Sequence, residues 1–159
     1  MGGAAVELVL QFFAQADDFG AFLKLLPQKL EGRTLRHCVE VRNDSFVTPE
    51  FPVLLRKQRV AAVFADHATY PAIADVTADF VYARLQTGSD DIATAYPEKD
   101  LDAWARRLKA WAEGNEPGDL QKADPQATPP RADREVFGFI IHEGKVRAPH
   151  GAMALIERL

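Results

Sequence analysis

Charged and phenolic side chains recur within or at the ends of several apolar segments that have the length of strands. Glu40 and Arg42 lie two residues apart in one segment, Tyr82 and Arg84 in another, and Asp66 closes the segment between them. Because side chains alternate along a strand, the two members of each pair share one face of the predicted sheet. Two guanidinium groups beside a carboxylate and a phenol could bind a phosphate or carboxylate and support acid–base chemistry.

The residue types predict a role for each member of this group. Glu40 is the candidate general acid or base, Tyr82 a candidate hydroxyl donor, and Asp66 a third candidate catalytic residue. Four residues at or near strand ends are candidate ligand-binding groups for a small anionic molecule, namely Gln11, Arg42, Arg84 and His142. The first hypothesis is therefore an enzyme, or a former enzyme, that acts on a phosphorylated or carboxylated metabolite.

A purely structural interpretation of the same charges stays open. Burying Glu40 and Arg42 without partners would cost several kcal/mol, so each must pair or contact a ligand. Glu40 could pair with Arg42 or Arg84 inside the sheet, as an ion network that binds nothing. We predict that these three side chains meet on one face of the sheet under either interpretation.

Metal-ligand patterns are weak in this sequence. Glu40, Asp66 and His142 lack a recognised ligand spacing, so we predict no metal site. Cys38 is the single cysteine, which excludes an internal disulfide and a cysteine-rich zinc site. It lies in an apolar stretch, where we expect a buried, inert thiol. The sequence identifies no cofactor.

Length and composition indicate one globular domain. The 159 residues are 47% apolar and 26% charged, and we predict a single α/β domain over residues 1–159. The net charge of −4 disfavours binding to a nucleic-acid backbone. The chain has neither an apolar run of membrane-spanning length nor a basic signal-peptide start, so we expect no membrane association and a cytoplasmic location.

Strand-like and helix-like patterns alternate along the chain. Five β-prone segments are predicted, at Val6–Phe13, His37–Val41, Val60–Ala65, Thr77–Leu85 and Val136–Ile141. Helices are predicted after Asp17 and Asp18, after a Thr48 cap, at Leu101–Ala112 and from Pro149, and Pro27 should interrupt the first. The rhythm predicts an all-parallel sheet of about five strands in sequential order, with helices on its outer face. Residues 115–133 are rich in proline and are predicted to form a long surface loop.

Several motifs resemble those of the YecE-like family, a bacterial family built on a domain of unknown function (domain of unknown function 72). Residues 40–46, Glu-Val-Arg-Asn-Asp-Ser-Phe, are similar to the family's E-[FV]-R-H-x-S-[WF]. Residues 80–88, Phe-Val-Tyr-Ala-Arg-Leu-Gln-Thr-Gly, are similar to its F-x-Y-x-R-x-H-G. Tyr96, residues 101–105 and the last strand and helix follow in the family's order. Asn43 and Gln86 stand where the family usually has histidine.

The resemblance implies a TIM-like (β/α) barrel, of which this chain would hold only the C-terminal part. The family's first strands have no counterpart, so we predict a partial barrel with two unpaired strand edges. Its inner face is expected to expose Phe64, Phe80 and Ile140, and a homodimer closing the open side is predicted. The second functional hypothesis is accordingly a non-catalytic truncated barrel that acts as a protein-interaction module. Family membership implies no reaction.

Overall fold

The computed structural model describes residues 5–10, 16–141 and 145–159. Side chains are described for residues 18–141 and 145–159. Seven strands and four α-helices lie in these ranges. The strands are β1 (Ala5–Leu10), β2 (Lys29–Leu30), β3 (Arg33–Thr34), β4 (Arg36–Val41), β5 (Ala61–Asp66), β6 (Phe80–Leu85) and β7 (Glu135–Ile140). The helices are α1 (Ala16–Leu25), α2 (Glu50–Gln58), α3 (Glu98–Ala112) and α4 (Ala148–Ile156).

One parallel sheet contains the five six-residue strands in the order β1-β4-β5-β6-β7. The predicted all-parallel sheet in sequential order is therefore confirmed. Strands β1 and β7 form its two edges, and the described strands do not close into a barrel. A short antiparallel hairpin of β2 and β3, which the sequence did not predict, precedes β4.

The outer face of the sheet, which packs against the helices, holds most of the apolar core. The predicted stripe of α3 is confirmed, since Leu101, Trp104, Leu108 and Trp111 are all buried. The Phe64 ring of β5 lies 5.7 Å from that of Trp104 and 5.6 Å from that of Trp111, measured between ring centroids. A second cluster joins α1 and α2 to the outer side of β4, where Phe19, Phe51 and Leu55 pack around Val39 and Val41.

The inner face of the sheet, opposite the helices, differs from the prediction in two ways. Phe64 and Ile140 belong to the helix-covered core, so their predicted place on the inner face is wrong. Phe80 does lie on the inner face, beside Cys38, but is only 1% exposed rather than open to water. The Arg36 guanidinium covers it, with its central carbon 4.9 Å from the ring centroid. The predicted burial of the Cys38 thiol is confirmed.

The connection from β5 to β6, residues 67–79, crosses the outer face without a helix. Asp75, buried in this connection, accepts hydrogen bonds from the backbone N–H groups of Ala123 at 2.6 Å and Asp124 at 3.1 Å. The Arg56 side chain of α2 donates to both carboxylates, Asp75 and Asp124. The proline-rich loop 115–133 has no helix or strand, as predicted. These hydrogen bonds nevertheless hold the loop against the β5–β6 connection, and Ala123 packs in the core.

Pro27 follows the end of α1, and Thr48 and Pro49 lie at the start of α2. Helix α1 ends at Leu25, two residues before Pro27, as the missing backbone N–H of proline requires. The N-cap of α2 is Pro49, which makes no side-chain cap, so the predicted capping role of Thr48 is wrong. Thr48 instead accepts a hydrogen bond through its backbone carbonyl from the N–H of Phe51.

Candidate functional site

A buried carboxylate joins two arginines at the C-terminal end of the sheet. Glu40 is 0% exposed, and its Oε1 accepts a hydrogen bond from Nε of Arg42 at 2.7 Å. Its Oε2 accepts from Nη1 of Arg84, which reaches over from β6. The predicted meeting of these three side chains is confirmed. Together they carry one net positive charge, so the cluster remains attractive to an anion.

Two stacked aromatic side chains extend the cluster toward the loop that follows β5. The central guanidinium carbon of Arg42 lies 4.6 Å from the centroid of the Tyr70 ring. Tyr70 in turn stacks on the His67 imidazole, with centroids 3.7 Å apart and planes 11° from parallel. Cation–π contact and the Glu40 hydrogen bond thus fix the Arg42 side chain, which remains 23% exposed. Its two terminal amino groups make no hydrogen bond to the part of the chain that the structure describes.

Tyr82 lies on the inner face of β6, two residues before Arg84 and in register with Phe137 of β7. Its ring stacks on that of Phe139, with centroids 4.9 Å apart. Tyr82 is partly exposed, whereas Phe139 is 39% exposed on the edge strand. The phenol therefore belongs to an aromatic row beside the arginine cluster.

Asp66 anchors a separate hydrogen-bonded group at the same end of the sheet. Its Oδ2 accepts from Oγ1 of Thr87 at 2.5 Å and from the hydroxyl of Tyr96 at 3.4 Å. The Tyr96 hydroxyl also accepts from the backbone N–H of Thr87 at 3.0 Å. Burial, with a smaller contribution from the Asp66 charge, raises the pKa of Tyr96 to about 12. Tyr96 therefore stays a neutral donor at physiological pH.

The sequence-predicted residues thus divide into three groups. Glu40, Arg42 and Arg84 come together, while Asp66 contacts a different set of partners and Tyr82 lies among aromatic rings. Gln11 and His142 lie outside the described residues. Within the described ranges, no three histidine, cysteine or carboxylate side chains are arranged to hold a metal ion.

Two contributors to the site, Tyr70 and His67, did not emerge from the sequence as site residues. Both lie in the segment His-Ala-Thr-Tyr, residues 67–70, that follows β5. Their position directly after the C-terminal end of a buried parallel strand is the signal that could have identified them.

The fold and the position of the polar residues define a class of protein. Parallel strands in sequential order, helices on the outer face and polar side chains at the strand C-termini are the features of a TIM-like (β/α) fold. In this class, ligands bind at that end of the strands because the βα loops converge there.

The chain belongs to the family described as "Protein of unknown function DUF72", whose model matches residues 2–159. It resembles the solved structure of a DUF72 family protein from Thermotoga maritima MSB8 with a TM-score of 0.59 and 14% identity, covering 96% of this chain and 56% of that one. A DUF72 family protein from Enterococcus faecalis V583 gives a TM-score of 0.56 and 14% identity, covering 94% and 59%. The chain therefore spans less than two thirds of the length of these relatives. No protein of curated function matches it.

No helix within the described residues combines the length and the apolar character that crossing a bilayer requires.

Proposed function

We propose that this protein binds a small anionic molecule, a phosphorylated or carboxylated metabolite, at the C-terminal end of its sheet. The observation that carries the proposal is the buried Glu40 carboxylate, which accepts hydrogen bonds from both Arg42 and Arg84. An anion approaching this end of the strands would meet the terminal amino groups of Arg42.

The hydrogen bonds favour a positioning role for Glu40. Both of its oxygens are occupied by guanidinium donors, so the carboxylate holds the two arginines at fixed positions rather than exchanging protons with a ligand. Asp66 and Tyr82 remain the candidates for any chemistry on the bound molecule. The Thr87 and Tyr96 hydroxyls that donate to Asp66 would orient that carboxylate.

Isothermal titration with propyl phosphate and with butyrate tests the proposal. Arg42→Gln should weaken binding of whichever anion the protein prefers by about tenfold or more, because a charge-assisted hydrogen bond is lost. Arg107→Gln is the matched control, since Arg107 also stacks on an aromatic ring (Trp104, 4.4 Å) and pairs with a carboxylate (Asp119), but lies on α3. Binding of neither anion, or equal losses in both variants, would refute the proposed site.

A second candidate function rests on the β7 edge of the sheet. Phe139 is exposed on this edge strand, and exposed edges are templates for association. We propose a second copy of the chain as the partner, which would cover Phe139. Light scattering coupled to size exclusion at micromolar concentration should then show a dimer that Phe139→Thr weakens. A monomer at every concentration would eliminate this candidate.

A further inference from the structure

Gln86 follows the last residue of β6, and its backbone continues the hydrogen bonding of β6 to β5. Its N–H donates to the carbonyl of Asp66 at 2.9 Å, one residue beyond the end of β6 at Leu85. The alternation of β6, continued through this hydrogen bond, places Gln86 on the inner face, on the same side as Arg84. Two residues of strand separate their Cα atoms by about 6.6 Å.

The Gln86 side-chain amide carries an unsatisfied buried atom. Its Oε1 is buried, and no group among the residues that the structure describes donates a hydrogen bond to it. Buried amide oxygens in native proteins nearly always accept a hydrogen bond, because water can no longer supply one. An unpartnered buried acceptor two residues from Arg84, at the end of the strands where (β/α) folds bind ligands, is a candidate contact for a ligand group.

We infer that Gln86 binds a hydroxyl group of the ligand, so that the ligand class is a small hydroxylated anion. This inference rests on the proposed function, since the anionic group is held by Arg42 and Arg84. A hydroxyl donates to Oε1 and would equally accept from the amide nitrogen, so it satisfies either orientation of the amide. Because Arg84 and Gln86 are neighbours on one face of the strand, suitable probes carry a hydroxyl about three atoms from the anionic group.

Matched pairs of probes test this assignment by titration calorimetry. Glycerol 1-phosphate is compared with propyl phosphate, and 4-hydroxybutyrate with butyrate, so that each pair differs only in hydroxyl groups. The preferred pair identifies whether the anion is a phosphate ester or a carboxylate. The native protein should bind the hydroxylated member about tenfold more tightly, and Gln86→Leu should abolish that preference while retaining affinity for the other member.

A second measurement is independent of any ligand. Because Gln86→Leu removes an unpaired buried acceptor, the ligand-free variant should melt about 2–4 °C higher than the native protein. Gln58→Leu, at the half-buried end of α2, is the control and should change neither the preference nor the melting temperature in this way.

The outcomes separate this inference from the proposed function. If the native protein binds both members of a pair equally, and Arg42→Gln still weakens both, the anion site stands and the role of Gln86 is wrong. A hydroxyl preference that persists in Gln86→Leu also overturns the role of Gln86. If neither propyl phosphate nor butyrate binds, the proposed function fails and the inference fails with it.

Discussion

Arg84 donates a hydrogen bond to Glu40, although the two strands that carry these residues are not adjacent in the sheet. Glu40 lies on β4 and Arg84 on β6, so the contact crosses the intervening strand β5. Ala65, the residue of β5 that pairs with Arg84, is fully buried. Its single methyl group leaves room for the arginine side chain to pass over the strand. The Glu40–Arg84 ion pair thus joins β4 to β6 across β5 on the inner face.

Removing the negative charge of this cluster should destabilise the fold. Glu40→Gln leaves two partly buried guanidinium groups without a counter-charge, and we expect the free energy of unfolding to fall by about 3 kcal/mol. Glu135→Gln is the control, because Glu135 also pairs with an inner-face arginine, Arg36, but its side chain is 60% exposed. That variant should lose less than about 1 kcal/mol. Urea unfolding measures both, and equal losses would contradict the buried cluster.

The buried Tyr96 hydroxyl predicts a pH dependence of stability in the alkaline range. The pKa of Tyr96 is raised from 10.0 to about 12, so the folded protein disfavours the phenolate. Its contribution to stability is fully present below pH 10 and is lost as the pH rises through 12, by about 2–3 kcal/mol. The native protein should therefore lose more stability than Tyr96→Phe between pH 10 and pH 12.

Urea midpoints measured at intervals from pH 9 to pH 12 give the difference between these two proteins. Tyr70→Phe serves as the control, since it retains Tyr96 and should follow the native curve. Parallel curves for the native protein and Tyr96→Phe would show that the Tyr96 hydroxyl is not buried as described.

Two helical glycines should respond to alanine in opposite directions. A Cβ on Gly151 of α4 would lie 2.8 Å from the carbonyl oxygen of Thr94 and 3.0 Å from Cβ of Ala95. Gly151→Ala should therefore cost about 1–3 kcal/mol by overpacking. A Cβ on Gly20 of α1 would meet Leu54 at an ordinary 3.6 Å, so Gly20→Ala should stabilise by up to about 1 kcal/mol. Thermal melts of both variants check the signs, and a stable Gly151→Ala would disprove the close packing of α4.

Sequence periodicity predicted the strand order well but not which face each side chain takes. In β5 the run Ala-Ala-Val-Phe-Ala has no polar residue to mark a face, and Phe64 was assigned to the wrong one. In β6 the polar residues Tyr82 and Arg84 alternate with apolar ones, so their shared face could be predicted. The β2–β3 hairpin was missed because each strand has two residues, which is too short for any period to show.

The site was predictable where charge sits inside an apolar strand and unpredictable where it depends on loops. Glu40 and Arg42 are costly to bury unpaired, which made their pairing a physical expectation. The stack of Tyr70 on His67 depends on the path of residues 67–70, which no local pattern specifies. The same holds for Asp75, whose partners Ala123 and Asp124 lie in a proline-rich segment without periodicity.

The hydrogen bonds that Asp75 accepts from Ala123 and Asp124 have a consequence for the order in which this chain folds. Its hydrogen bond to Ala123 joins residues 48 apart in sequence, and the β5–β6 connection has no helix of its own to hold it. Contacts of such long range form late, because closing the intervening chain costs entropy before any contact compensates for it. During synthesis, the Asp75 hydrogen bonds should therefore form only after residue 124 has emerged from the ribosome. In pulsed hydrogen exchange during refolding, the amide protons of Ala74, Val76 and Ala123 should become protected in a single kinetic phase.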